Sequence, residues 1–395
     1  MKKHTLIIDG AYFIHSRLYV LPRPKQIPGL PIEKFMESEK DQSMLMRKLC
    51  MDFASELRKI RYTVDRIVFT MDAKSWRKDF FPESGYKDNR VKDEKTDWKG
   101  INKVTDEFQI LLQKRGVIVN RIAGAEGDDM IFAWATHLNA NGDNTIIWSG
   151  DKDLIQLVNY NRSTDAYTLW YDNTRSKFVG YPGFQKWLDT DEANKDAVDI
   201  FSPKSNFYLV DQTKKELKEF LKKNALEISE VFCDDFILSK ILAGDKSDNI
   251  SSVCLKPSKN GDKLFRLNDT KADRVVDLFK KRHSRFSPIY LFEDEYKEEI
   301  CKLVSREMKV TGRLKEIQEK LELNTRLMLL HVSTIPEAIQ TSMFGQIKID
   351  LESPQELQVN ELIHKDKILV GTKHLQDNKI GNTSEPPKGG VGGLF

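Results

Sequence analysis

A chain of 395 residues with 39% apolar and 31% charged positions is long enough for one large domain, or two ordinary ones, with a real core. Its 63 basic and 60 acidic residues nearly cancel to +3, so affinity for a polyanion would have to come from local clustering rather than from bulk charge. The scattered Cys50, Cys233, Cys254 and Cys301 exclude a zinc ribbon and a disulfide framework, no apolar run approaches a membrane span, and "KKHTLIIDG" is too short for a signal sequence; a cytoplasmic protein, with no membrane partner, is expected.

In chain order, the first half alternates two kinds of stretch. "HTLIIDG", "DRIVFTMD", "GVIVNRIAG" and "NTIIWSGD" are short, apolar and rich in β-branched residues, which predicts strands. Between them, "SMLMRKLCMDFASELRKI" and "DDMIFAWATHLNANG" carry helical periodicity, the second closing on Asn141-Gly142. Strands alternating with helices predict an α/β fold with a mostly parallel central sheet flanked by helices. "AYTLWYDNTRSKFVGY" reads as a hairpin. From about residue 189 the pattern is mainly helical, with "TKKELKEFLKK" and "CDDFILSKILAG" the clearest cases, and after about residue 371 the Gly-rich composition predicts a flexible tail.

Most of the predicted strands end near an acid: Asp9, Asp72, and Asp151 with Asp153 just beyond. In an open α/β sheet such positions meet in one crevice. "AGAEGDDM" adds Glu126, Asp128 and Asp129 at a helix start, and "LAGDKSDNI" adds Asp245 and Asp248 in a loop. Taken singly, each has an ordinary role: helix cap, turn residue or loop acid. Together they would repel one another unless cations neutralised them. An all-oxygen set suits a hard ion such as Mg²⁺ or Mn²⁺, and two such ions about 4 Å apart can clamp the oxygens of a phosphodiester undergoing hydrolysis.

"LIIDGAYFIH", "FTMDAKSWRKDFFPESGYKDNR", "AEGDDMI", "SGDKDLIQL" and "LAGDKSDNI" resemble, in order and spacing, the structure-specific 5′-nucleases, most of all the phage RNase H branch of that family. The resemblance covers about residues 5–182 and 232–250. It implies a PIN-like 5′-nuclease fold with a mainly helical C-terminal region and metal-dependent cleavage near the 5′ end of flap, nicked or RNA-primed duplex DNA. Primer and flap removal in phage-type replication, in the cytoplasm of the infected host, would be its setting. Carried over by position, Asp9, Asp72, Glu126, Asp128 and Asp151 would serve a first Mg²⁺, and Asp153, Asp245 and Asp248 a second, with Mn²⁺ able to substitute. Asp129 is added to the metal set, and Lys152, between two of the acids, is expected to point away.

The arch that this family places over the 5′ end would fall at about residues 74–103. Lys87 and Arg90 match its catalytic phosphate-contacting pair, sharing one face if the segment is helical. Tyr86 is expected to stack on a terminal base, and Arg77 and Lys78 to extend a basic rim. The division expected is a nuclease core over 1–182, a helical insertion over 183–230, a helical region over 231–370 that completes the acids and binds duplex, and a tail over 371–395. The glycine-rich helix-hairpin-helix of many relatives is missing after Asp248, where a helix beginning near Thr270 is expected instead. A monomer is expected, with DNA and RNA–DNA hybrid as ligands. Leu394 and Phe395 would anchor a sliding clamp, and single-stranded DNA-binding protein is a further expected partner. Two competing readings are a catalytically inactive junction-binding module and a DxD phosphatase; the latter wants its DxD directly after the first strand, where the chain has Asp9-Gly10-Ala11.

Overall fold

The computed structural model describes residues 4–60, 64–173, 177–181, 227–230, 233–258, 260, 263–354 and 356–368. Strands β1 (His4–Asp9), β2 (Arg66–Thr70), β3 (Ile118–Asn120) and β4 (Asn144–Trp148) are followed by β5 (Asn159–Asn161), β6 (Ala166–Asp172), β7 (Lys177–Gly180) and β8 (Glu227–Glu230). Among the described residues they form one sheet in the order β3-β2-β1-β4-β6-β7-β8, with β5 paired to β6. β3 through β6 along this order are parallel, and the antiparallel β6–β7 pair is the expected hairpin.

The central strands are apolar on both faces because both faces are covered. On β1, Leu6 and Ile8 join a core with Phe13 of α1 (Gly10–Leu18), Leu49 and Phe53 of α2 (Glu39–Ile60), and Phe108 of α4 (Trp98–Gln113). Ile7 faces the other way, with Met130 and Trp134 of α5 (Gly127–Ala140). Between α2 and α4 lies the short α3 (Trp76–Phe80). The C-terminal part is mainly helical: α6 (Cys233–Ala243), a small hairpin of β9 (Leu255–Pro257) and β10 (Leu264–Arg266), α7 (Asp269–His283), α8 (Asp294–Met308) and α9 (Leu314–Met328). These helices share a separate core that includes Val275, Phe279, Ile300 and Leu321.

The boundaries drawn from sequence differ from the packing in two places. First, α10 (Glu337–Glu352) lays Met343 and Ile347 into the core around α5, while α11 (Val359–Leu362) and α12 (Lys365–Ile368) contribute Leu362 and Ile368 to the core around α2. The last described helices thus belong to the sheet rather than to the helical region. Second, α4 begins at Trp98 and is part of the sheet's core, so the connection expected to form the arch ends before it. The insertion at 183–230, apart from β8, and the tail at 371–395 lie outside the described residues.

β1 is the switch point of this sheet. The chain leaves it toward β2 and β3 on one side, and β4 and β6 lie on the other, so a crevice opens at the carboxyl ends of β1, β2 and β4.

Candidate active site

Four carboxylates enter that crevice from four elements. Asp9 ends β1, Asp72 follows β2, Asp128 lies in the first turn of α5, and Asp151 follows β4; all line a cleft of about 1030 Å³. Strand register sets this up, since Ile8 pairs with both Phe69 and Trp148. Asp9 is thereby brought beside Ser149, whose hydroxyl donates to Asp9 Oδ2 at 2.8 Å and accepts from the Asp151 backbone N–H at 2.9 Å. The fully buried Ser149 therefore ties two of the acids together, a role its place in the sequence does not reveal. Asp9 also caps α1 by accepting from the Tyr12 N–H at 2.9 Å. Asp72 accepts from the Gly127 N–H at 2.7 Å, which points the N-terminus of α5 at the cleft. A side chain at position 10 would meet Phe69 at 2.4 Å and the Thr70 carbonyl at 2.5 Å, so only glycine lets α1 start this close to β2.

Two of these acids, Asp9 and Asp128, hold their protons more tightly than an ordinary carboxyl. Burial pushes Asp9 up to about 7, with Asp72 and Asp151 adding to the rise against the hydrogen bonds from Tyr12 and Ser149. Burial also raises Asp128 well above the ordinary carboxylate range, and here Asp151 and Asp9 are the next causes. No ion pair to any of the four is present among the described residues.

The other expected ligands stand differently. Asp153 is pushed up to about 6 by burial and by Asp151, against the pull of Lys240. Lys240 Nζ lies 2.9 Å from Asp153 Oδ1 and 2.9 Å from Asp245 Oδ2. Asp245 is held at about 2: burial opposes this, but Ser247 and Lys240 outweigh it. Asp248 pairs closely with Arg90 and lies 3.9 Å from Lys87 Nζ. Lys87 Nζ also donates to Glu126 Oε1 at 2.7 Å, while Tyr86 and Arg77 each reach Glu126 Oε2 at 3.0 Å. Burial alone would raise Glu126, yet Lys87 and Arg77 bring it below its ordinary value.

Several expected positions are corrected. Asp129 does not reach the cleft. It is fully buried, receives two bonds from Arg77 at 2.8 and 3.0 Å and one from Trp76 Nε1 at 3.1 Å, and accepts from the Glu126 N–H as a helix cap. Arg77 is not on a rim: it is 2% exposed and also donates to the Leu327 carbonyl. Tyr86 is 5% exposed and packs in the C-terminal helical core, so its ring offers no free face to a base. Lys78 is exposed but pairs with Asp88 at 3.0 Å and is not among the residues lining the cleft. Lys87 and Arg90 do line it, but from a turn rather than a helix, because Gly85 and Lys87 both have φ near +60° (66° and 58°). Lys152 lines the cleft as well, since Asp151 and Asp153 flank the start of a 3₁₀ turn, where alternate residues do not point to opposite sides.

Beyond the four acids the cleft wall carries aromatic and basic groups, with Asp93 paired to Arg23 at 3.6 Å. Tyr19, Arg23, Lys92 and Trp98 line it, with Arg23 5.5 Å from the Tyr19 ring and Lys92 5.7 Å from that of Trp98.

Among the described residues no three Asp, Glu, His or Cys side chains are gathered into a ready metal site. The fit to a divalent cation is one of donor type and charge: four carboxylates on one cleft, two of them with raised pKa, with His15 on the same cleft and, among the described residues, no cysteine lining it and no protein cation paired to the four.

The chain is similar to several known proteins. Residues 4–184 match the family described as 5′-3′ exonuclease, N-terminal resolvase-like domain. DNA polymerase I of Rhizobium leguminosarum is 28% identical over 261 residues, covering 61% of this chain and 24% of that protein. A 5′-3′ exonuclease of Buchnera aphidicola (Schizaphis graminum) is 27% identical over 165 residues, 40% of this chain and 50% of the relative. The chain thus spans half or less of these curated relatives. Among solved structures, the 5′-exonuclease of phage T5 with bound zinc is 13% identical with a TM-score of 0.48, covering 88% of this chain and 99% of that one. The phage T5 flap endonuclease in a pseudo-enzyme-product complex with DNA and metal ions is 14% identical with a TM-score of 0.44, covering 89% and 100%.

Proposed function

We propose that this chain, whose residues 4–184 match the 5′-3′ exonuclease N-terminal domain, is a 5′-nuclease: a metal-dependent hydrolase of phosphodiester bonds near the 5′ end of flap, nicked or RNA-primed duplex DNA. The observation that carries this is the meeting of Asp9, Asp72, Asp128 and Asp151 in one cleft with Lys87 and Arg90. We take Mg²⁺ as the physiological ion, two per site, with Mn²⁺ as a substitute. Bound there, such ions would supply a more acidic water and offset the charge of the phosphate.

The rest of the chemistry falls to the chain. Arg90 offers a planar fork and Lys87 a point charge to a phosphate that would replace Asp248 and Glu126 as their partner. The outer wall, where Arg23 stands over Tyr19 and Lys92 over Trp98 with Asp93 beside Arg23, offers rings and cations to an unpaired strand leading to the acids. DNA and RNA–DNA hybrid are the ligands this implies, and removal of primers and flaps in phage-type replication, by a cytoplasmic monomer, is the role we propose. The clamp contact through Leu394 and Phe395 lies outside the described residues and, with single-stranded DNA-binding protein, stands as an expectation. A phosphatase reading lacks support, since the residues after Asp9 are Gly10 and Ala11.

The test is direct. The protein is incubated with Mg²⁺ and 5′-labelled flap, nicked and RNA-primed duplexes, with EDTA as the control, and products are mapped. Short 5′ products that disappear in EDTA are expected. Binding without cleavage under all conditions would favour the inactive junction-binding module instead.

A further inference from the structure

The two halves of the acid cluster are unlike in one respect. Asp9, Asp72, Asp128 and Asp151 face one another without a paired protein cation among the described residues, whereas Asp153 and Asp245 share one. Lys240 Nζ stands 2.9 Å from an oxygen of each. It comes from the last turn of α6, five positions before Asp245, so one helix end supplies both the acid and the cation that neutralises it. Its side chain is 26% exposed, so the ammonium is enclosed but has a path to solvent. A lysine ammonium is a compact charge on a flexible stem, able to leave a carboxylate pair without any change of backbone.

We propose that the Lys240 ammonium holds the place of a second divalent cation between Asp153 and Asp245. Without nucleic acid, the cleft then binds one divalent ion well, among Asp9, Asp72, Asp128 and Asp151, and a second only by displacing Lys240. A phosphate drawn into the cleft is an alternative partner for the displaced ammonium. Nucleic acid and the second ion therefore favour each other, and by linkage the effect is the same in both directions. This rests on the metal-dependent reading above, and it assigns to Lys240 the ordering of the two ions.

The experiment uses the full chain with Mn²⁺ alone, without nucleic acid, following uptake by calorimetry and by the electron paramagnetic resonance signal of free Mn²⁺. The wild type is expected to take up one ion tightly. Lys240→Gln is expected to take up two, the second at least about tenfold more tightly than in the wild type. Lys240→Arg, which keeps the charge, should behave as the wild type, and thermal melting of each variant confirms folding. One tight ion in all three proteins, or two equivalent ions in the wild type, would overturn the role of Lys240 while leaving the first site standing. No Mn²⁺ uptake by any of them would overturn the metal-dependent reading itself, and this inference with it.

Discussion

Asp9 shows how a single residue here serves fold and function at once. Its carboxylate is buried, caps α1, accepts from Ser149, and sits beside the more exposed Asp72 and Asp151 in the cleft. A carboxylate in that position is costly for a protein without cations, and the cost should be measurable. With Asp9 at about 7 and Asp153 at about 6, against an ordinary 3.8, the folded state keeps protons that the unfolded chain has released. Stability should therefore fall as pH rises through the window from about 4 to 7. Asp234, raised to about 6 by burial and by Asp235, acts in the same direction. Asp245, held at about 2, acts oppositely, and only below about pH 4. In EDTA the protein should melt at a lower temperature at about pH 8 than at about pH 5.5, and Mg²⁺ should narrow the gap. Equal melting temperatures in EDTA would contradict this account. For catalysis, Asp151→Asn should slow cleavage of a labelled flap by about a thousandfold or more while nicked-duplex binding, read by fluorescence anisotropy, is kept. Near-normal turnover in that variant would remove Asp151 from the site.

Among the elements, α3 and the turn after it matter most, because they bind the α5 side of the sheet to the C-terminal helical core. Arg77 on α3 is paired with Glu126 and Asp129 at the start of α5 and donates to the Leu327 carbonyl of α9, all within the protein. Tyr86 inserts into the C-terminal helical core, and the turn is held to the acid loop by Lys87 N–H to Asp248 O at 2.9 Å and Asn249 Nδ2 to Gly85 O at 2.8 Å. Replacing Arg77 by Met would leave Asp129 fully buried and stripped of its cation. A loss of about 3–5 kcal/mol is expected, the usual range for breaking a buried pair from one side. Urea unfolding would read it, and a change below about 1 kcal/mol would mean that the pair adds little. From sequence, Arg77 and Tyr86 read as surface groups of a charged stretch. Only the partners brought in by α5 and α9 turn them inward.

For the molecule as a whole, the last described helices close both faces of the sheet. Met343 and Ile347 of α10, Leu362 of α11, Ile363 just after it, and Ile368 of α12 are all buried in cores that begin near the N-terminus. At about 1.5–3 kcal/mol for each such side chain, their sum is comparable with the whole stability of a domain, about 5–15 kcal/mol. A chain ending after residue 335 is expected to lose cooperative thermal unfolding, followed by circular dichroism. A sharp transition near that of the full chain would show that the sheet stands without these helices.

Periodicity along the chain was enough for the order of strands and helices in the first half, for the α/β class, and for a helix near Thr270, found as α7 from Asp269 to His283. Strand ends also pointed to Asp9, Asp72 and Asp151, and a helix start to Asp128, because side-chain alternation and helix capping are local rules that sequence records. What lies near what across the chain is not recorded there. The cation between Asp153 and Asp245, the hydroxyl joining Asp9 to Asp151, the burial of Asp129 and Tyr86, and the return of the last helices to the sheet all depend on contacts between distant segments. Charge and burial at those positions are properties of the assembled fold, and the tertiary structure alone decided them.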